Sequence, residues 1–114
     1  MQGSFLRFYV HEGQAFHQGL VWEWLLMRAD KLGIRGGSAF RAMAGFGRHH
    51  QIVESRFFDL EGSQVIEIEF VVTNEEAQQL LDLVHHEGIA LFYAYIPASF
   101  GAIDRSTATA PSLF

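Results

Sequence analysis

The chain has 114 residues, with 8 Lys and Arg against 13 Asp and Glu, so its formal net charge is −5. Hydrophobic residues make up 49% of it, which excludes a wholly disordered chain and is typical of one globular domain with one core. The acidic balance argues against nucleic-acid binding, and the absence of Cys excludes disulfides, thiolate metal sites and a Cys nucleophile.

The first half of the chain is predicted to form a strand, a helix and a second strand. Aromatic and β-branched residues predict a strand over residues 5–10, and a loop follows at 11–16. A helix is predicted over residues 17–32, because apolar side chains recur at helical spacing, at Val21, Leu25, Ala29 and Leu32. Gly33 ends it, since glycine adopts positive φ at low cost, and residues 38–43 then form the second strand.

The second half begins with an irregular stretch over residues 44–64, which we interpret as a loop with a hairpin arm around 53–60. Residues 65–72 alternate between apolar and acidic side chains and predict the clearest strand. Thr73 and Glu76 have the spacing of a capping box, which predicts the start of a second helix that ends at Gly88. A fourth strand is predicted over residues 89–96, stopped by Pro97.

The order strand, helix, strand, strand, helix, strand predicts an α+β ferredoxin-like plait with an antiparallel four-stranded sheet and both helices on one face. The two halves also resemble each other where a helix joins the next strand, at Leu32-Gly33-Ile34 and Glu87-Gly88-Ile89. We therefore expect one domain over residues 1–97. Residues 98–114 are rich in Ala, Ser and Thr and are expected to form a partly disordered tail.

The face of the sheet without helices is predicted to carry unusual side chains. The residues expected to face the helices are Leu6, Phe8, Val10, Ile66, Ile68, Phe70, Phe92 and Ile96. The opposite face would then carry Phe5, Arg7, Tyr9, Arg41, Glu67, Glu69, Tyr93 and Tyr95. So much aromatic surface favours burial in a homo-oligomer, while a plain cross-strand ladder of ion pairs is the alternative.

Several motifs resemble the family called domain of unknown function 190, which is grouped with the PII-like signalling proteins. They are Leu6-Arg7-Phe8-Tyr9-Val10 with Glu12 and His17, then Gly33-Ile34, then Arg41 followed by Gly45-Phe46-Gly47. The similarity covers roughly residues 6–96. It implies a homotrimer of plaits, small-molecule effectors in clefts between subunits, and a long loop after the second strand that engages a protein partner, often a membrane transporter.

Two stretches depart from that family pattern. PII proteins proper hold nucleotide phosphates with a basic, glycine-rich loop between the second helix and the fourth strand, whereas this junction reads His85-His86-Glu87-Gly88. The start of the first helix, His17-Gln18-Gly19-Leu20-Val21, lacks the family's Pro. ATP binding in the usual PII manner is therefore not the expectation here.

The candidate ligand site centres on the glycine-flanked segment after the second strand. Two glycines free the backbone to approach a ligand, and arginines offer a planar fork of donors to phosphate or carboxylate. The predicted ligand-binding residues are Glu12, His17, Arg41, Gly45, Phe46, Gly47, Arg48, His49 and His50. The alternative for the segment is a flexible turn with solvated charges. The pairs His49-His50 and His85-His86 give only a weak metal signal, because adjacent side chains point apart.

We interpret the chain as a non-enzymatic PII-like regulator that binds a small anionic effector, an adenine nucleotide being one candidate, and needs no other cofactor. No catalytic motif is apparent, and no membrane span or signal peptide is predicted, so a cytoplasmic protein without direct membrane insertion is expected. Three alternatives stay open: a divalent-cation-binding trimer of the cation-tolerance type, a small cofactor-free plait enzyme using Glu67 or His17, and a purely structural oligomer.

Overall fold

The computed structural model describes residues 1–46, 53–54 and 64–104. Its main sheet has four strands: β1 (Gln2–His11), β4 (Gly37–Arg41), β7 (Val65–Thr73) and β8 (Phe92–Ser99). The two helices are α1 (Val21–Lys31) and α2 (Asn74–His86). Four strands of two residues each form two small hairpins: β2 (Ala15–Phe16) with β3 (Gly19–Leu20), and β5 (Ala44–Gly45) with β6 (Val53–Glu54).

The sheet is antiparallel with the strand order β4-β7-β1-β8, so β1 and β7 lie at its centre. Helix α2 packs against β1 and β7, and α1 packs against β4 and β7. This arrangement confirms the predicted ferredoxin-like plait.

The core lies between the helices and one face of the sheet. Alternate residues of β1 and β7 are buried there, and they meet the buried side chains Val21, Leu25 and Ala29 of α1 and Ala77, Leu80 and Val84 of α2. The strand members of the core are Leu6, Phe8, Val10, Ile66, Ile68, Phe70 and Val72. The alternation in the sequence therefore predicted the buried face of both central strands correctly.

The two helices begin differently. At α2 the predicted capping box is present: the Glu76 amide donates to Thr73 Oγ1 (3.2 Å), and the Thr73 amide donates to Glu76 Oε1 (2.9 Å). Helix α1 has no side-chain cap and begins at Val21, four residues later than predicted. The intervening residues form the β2–β3 hairpin, and the Val21 amide donates to the Gln14 carbonyl (2.9 Å) instead.

The two helices end in the same way, as the resemblance between the halves predicted. After α1, Gly33 has φ 87° and the Ile34 amide donates to the Ala29 carbonyl (3.2 Å). After α2, Gly88 has φ 70° and the Ile89 amide donates to the Val84 carbonyl (3.3 Å). Positive φ favours glycine at both positions, because other side chains are strained there.

The predicted orientation of the last strand was wrong. Phe8 pairs with Tyr93 and Tyr9 pairs with Phe92, and directly paired residues of an antiparallel sheet share a face. Phe92 and Ile96 therefore lie on the face without helices, and Tyr93 and Tyr95 lie on the helix side. Pro97 does not end the strand either, because β8 is an edge strand and an edge tolerates a residue without an N–H.

The predicted side for Arg41 was wrong as well. Arg41 pairs with the buried Ile66, so it lies on the helix side at the end of β4, while its neighbour Phe40 pairs with Glu67 on the open face. Strand β4 covers Gly37–Arg41 rather than residues 38–43.

Of the predicted hairpin arm around residues 53–60, only Val53–Glu54 are described, and they form β6, which pairs antiparallel with β5 at Ala44–Gly45. Residues 55–60 of that predicted arm, like residues 105–114 of the predicted tail, lie outside the described residues. Neither described helix has the length and apolar character needed to cross a bilayer.

Candidate functional site

Arg41 and Glu12 form an ion pair at one end of the sheet. Glu12 directly follows β1 and Arg41 is the last residue of β4, and the Arg41 Nη2 donates to Glu12 Oε1. The side chain of Arg41 is 55% exposed and that of Glu12 is 23% exposed. The structure thus brings together two of the predicted ligand-binding residues that are 29 positions apart in sequence.

Gln64, which the sequence analysis did not single out, lies between these two residues. Its carbonyl accepts from the Glu12 amide (2.6 Å), and its Nε2 donates to the Ala42 carbonyl (3.3 Å). The adjoining Ala42 amide donates to the Val65 carbonyl (2.9 Å). The residue is 1% exposed, yet its Oε1 has no hydrogen-bond partner among the described residues. A buried unsatisfied acceptor costs about 1–3 kcal/mol, so this junction is costly to hold in its present form.

The other predicted site residues are only partly described. Gly45 lies in β5, and Phe46 follows it with an exposed side chain. His17 lies at the turn of the β2–β3 hairpin with φ 54°, and its ring is 4.2 Å from that of Phe16. No described contact joins His17 to Arg41. Gly47, Arg48, His49 and His50 lie outside the described residues.

The junction between α2 and β8 uses its backbone donors to close the helix. The amides of Glu87, Gly88 and Ile89 donate to the carbonyls of Leu83, His85 and Val84, at 3.0, 3.1 and 3.3 Å. A phosphate-binding loop needs such amides free to face the anion. The junction therefore lacks Lys and Arg, and three of its backbone donors already close the helix.

The open face of the sheet carries a charged cluster at its centre. Arg7 Nε lies 3.2 Å from Glu67 Oε1 and 3.5 Å from Glu69 Oε2. Burial raises the pKa of Glu69, as do the hydrogen bond and the charge of Glu67, while Arg7 acts in the opposite direction. Phe40, Phe92 and Ile96, which are 51%, 70% and 41% exposed, lie on the same face around this cluster.

A groove of about 390 Å³ opens on the helix side between α2 and β8. Its apolar wall includes Leu81, Ile89 and Leu91, and its polar rim includes Asp82 and His85. None of the predicted ligand-binding residues that the structure describes lines it. It is therefore separate from the Arg41–Glu12 pair.

In the part of the chain that the structure describes, no three His, Asp or Glu residues come close enough to share an ion. His85 and His86 are the last two residues of α2, and both are exposed. Cationic side chains are favoured at that end of a helix by its dipole.

Comparisons with known proteins identify the family and the fold of the chain. The family DUF190, described as "Uncharacterized ACR", matches residues 3–89, which is more than half of the chain. A UPF0166 protein of Aquifex aeolicus (strain VF5) is 29% identical over 86 residues, which is 74% of this chain and 82% of that protein.

A solved structure from Thermus thermophilus, whose name places it provisionally among PII-like signalling proteins, superposes with a TM-score of 0.56. It is 23% identical, and the match covers 85% of this chain and 89% of that one, a likeness that shows the fold. The chain is thus a member of the DUF190 family with a PII-like fold.

Proposed function

We propose that this protein is a non-enzymatic PII-like regulator. As a homotrimer it binds a small anionic effector between subunits, near Arg41 and the segment up to His50, and that segment then engages a protein partner such as a membrane transporter. The observation that carries the proposal is the position of Arg41. Its exposed side chain directly precedes the segment between β4 and β7, and its guanidinium forms an ion pair with the carboxylate of Glu12.

The chemistry of the effector follows from Arg41. A guanidinium presents parallel donors that match the oxygens of a phosphate or a carboxylate. Its contact with Glu12 supports an acidic ligand, because the same donors already bind an anionic group of the chain. An adenine nucleotide is a candidate only if its phosphates bind at Arg41, since the α2–β8 junction has neither Lys nor Arg and uses the amides of residues 87–89 to close the helix.

The open face supports the proposed assembly. Its centre is charged and its surroundings are apolar, with Phe40, Phe92 and Ile96 all more than two fifths exposed. An exposed apolar patch on a sheet of this kind is typical of an interface. Three copies meeting through this face would cover the patch and leave clefts at the strand ends.

A mass measurement tests the assembly. Wild-type protein should elute in light-scattering chromatography at three times the mass of one chain, and Phe92→Asp should shift it to a single chain. Met27→Asp is the matched control, because Met27 is 50% exposed on α1, which packs on the other face of the sheet. A wild-type protein with the mass of one chain would contradict the homotrimer.

A thermal-shift screen tests the effector site. Nucleotides, pyrophosphate, carboxylates and divalent cations are added to the purified protein, and a true ligand raises Tm with the logarithm of its concentration above Kd. Arg41→Ala should abolish the shift. Arg35→Ala is the control, because Arg35 is exposed before the other end of β4, where its Nη1 contacts Met1 Sδ. An anion response that survives Arg41→Ala places the site elsewhere.

A metal-binding measurement tests the main alternative. Stoichiometric uptake of copper or zinc in equilibrium dialysis, lost when His49 and His50 are both replaced, would favour a cation-binding trimer. Stabilisation by anions alone would favour the regulator.

A further inference from the structure

The anion that Arg41 holds belongs to the chain itself. Glu12 follows β1 and Arg41 ends β4, and these strands are not neighbours, because β7 lies between them. The ion pair therefore bridges across the start of β7, where Gln64 lies buried. Both the donors and the carboxylate come from residues that already have fixed positions at strand ends.

We propose that Glu12 is a built-in competitor for the anion site on Arg41, and that Gln64 couples its displacement to the segment after β4. This inference rests on the proposed function, since it describes how that same site is regulated. The effector has to replace one carboxylate by another acidic group, so a ligand that offers no more than a single carboxylate gains little. Glu12 thus sets a preference for ligands with more charge and more acceptor oxygens, as in phosphates.

The coupling follows from the contacts of Gln64. Its carbonyl holds the amide of Glu12 (2.6 Å), and its side chain holds the carbonyl of Ala42 (3.3 Å), the residue after Arg41. Gln64 therefore joins the backbone of Glu12 to the first residue of the segment, so that a movement of Glu12 that includes its backbone is transmitted to Ala42. Gln64 Oε1 has no hydrogen-bond partner among the described residues, so moving the side-chain amide gives up only the bond that its Nε2 donates to Ala42.

The ligand-independent test measures the reactivity of Arg41. Phenylglyoxal modifies accessible guanidinium groups, and peptide mass spectrometry reads the rate at each arginine. In Glu12→Gln the rate at Arg41 should rise about two- to fivefold, the range expected for an exposed ion pair. Arg35 serves as the internal control and should not change. Glu23→Gln, which removes one exposed carboxylate from α1, should leave Arg41 unchanged.

The ligand-dependent test uses pyrophosphate and acetate as probes. Isothermal titration should show pyrophosphate binding about two- to fivefold tighter to Glu12→Gln than to wild type, with no such gain in Glu23→Gln. Acetate should bind wild type much more weakly than pyrophosphate. Equal pyrophosphate affinity in wild type and Glu12→Gln would overturn the competition.

Hydrogen exchange tests the coupling. Pyrophosphate should speed exchange at the Ala42 amide, which donates to the Val65 carbonyl, in wild type but not in Gln64→Met, a variant of similar volume. The same response in both proteins would overturn the role of Gln64.

The two proposals fail in different ways. An unchanged rate of Arg41 modification in Glu12→Gln would overturn the internal competitor whatever the ligand. If Arg41 is modified faster in Glu12→Gln but neither pyrophosphate nor a nucleotide binds, the pairing of Glu12 with Arg41 is supported and the effector site is overturned.

Discussion

The two faces of the sheet are built from alternate residues of the same strands, yet their environments are opposite. On the covered face Leu6, Phe8 and Ile68 are 0% exposed and pack under the helices. On the open face a charged centre is surrounded by Phe40, Phe92 and Ile96, which remain exposed. The covered face therefore supplies the stability of one chain, and the open face retains apolar area that no described part of the chain covers.

The largest expected effect is on the covered face. Phe8→Ala should lower the free energy of unfolding by about 3–5 kcal/mol, because a fully buried aromatic ring leaves a cavity. Urea unfolding followed by circular dichroism measures it. Phe92→Ala on the open face should cost stability only at protein concentrations where the chains associate. A loss of stability in Phe92→Ala that does not depend on protein concentration would contradict this distinction between the two faces.

The next effect concerns packing on the same covered face. A Cβ added at Gly37 would clash with the ring of Phe70, a core side chain that is 1% exposed. Gly37→Ala should therefore lower stability by about 1–3 kcal/mol through overpacking. Gly19→Ala is the matched control, since nothing lies within 4 Å of its added Cβ. Equal Tm changes for the two variants would contradict the tight contact.

A smaller effect of opposite sign is expected at Ser4. This residue is 0% exposed beside the core, and its Oγ has no hydrogen-bond partner among the described residues. Ser4→Ala removes a buried unsatisfied hydroxyl and should raise the free energy of unfolding by up to about 1 kcal/mol. Ser38→Ala in β4, which is only partly buried, should have no comparable effect. A clear loss of stability in Ser4→Ala would show that the Ser4 hydroxyl makes a hydrogen bond in the folded protein.

The smallest effect concerns pH and the open face. Because burial and Glu67 raise the pKa of Glu69 above its ordinary value of 4.5, its stabilising contribution is present below that value. The contribution is lost as pH rises through the raised pKa of the folded state. Glu69→Gln should therefore flatten the decline in stability above pH 4.5, measured as Tm across a pH series. A decline as steep as in wild type would assign the pH dependence to another group.

Much of the fold was predictable where local chemistry is strong. The alternation of β7 and the Thr73–Glu76 box each have one interpretation, and both were confirmed. The orientation of β8 was not predictable, because residues 91–96 are all apolar or aromatic and alternation carries no signal there. Only the pairing with β1 decides which face each side chain takes.

Residues of the candidate site were predictable from the sequence, but the contact between them was not. The resemblance named Glu12 and Arg41, but their contact joins strand ends that are separated by a third strand, which no local pattern specifies. Gln64 carried no sequence signal, since a single Gln before a strand is usually solvated. Its role follows from burial between two neighbours, which is a property of the assembled sheet.

The placement of the indole and phenol rings has a practical consequence. Both Trp residues of the chain lie on α1, above the β4 side of the sheet, and all three Tyr residues lie on β1 and β8. Selective excitation of the Trp residues therefore reports on the α1 side without any label, and Tyr emission, which occurs at shorter wavelength than Trp emission, reports on β1 and β8. A difference between the two emission signals during unfolding or ligand addition would reveal which flank moves first.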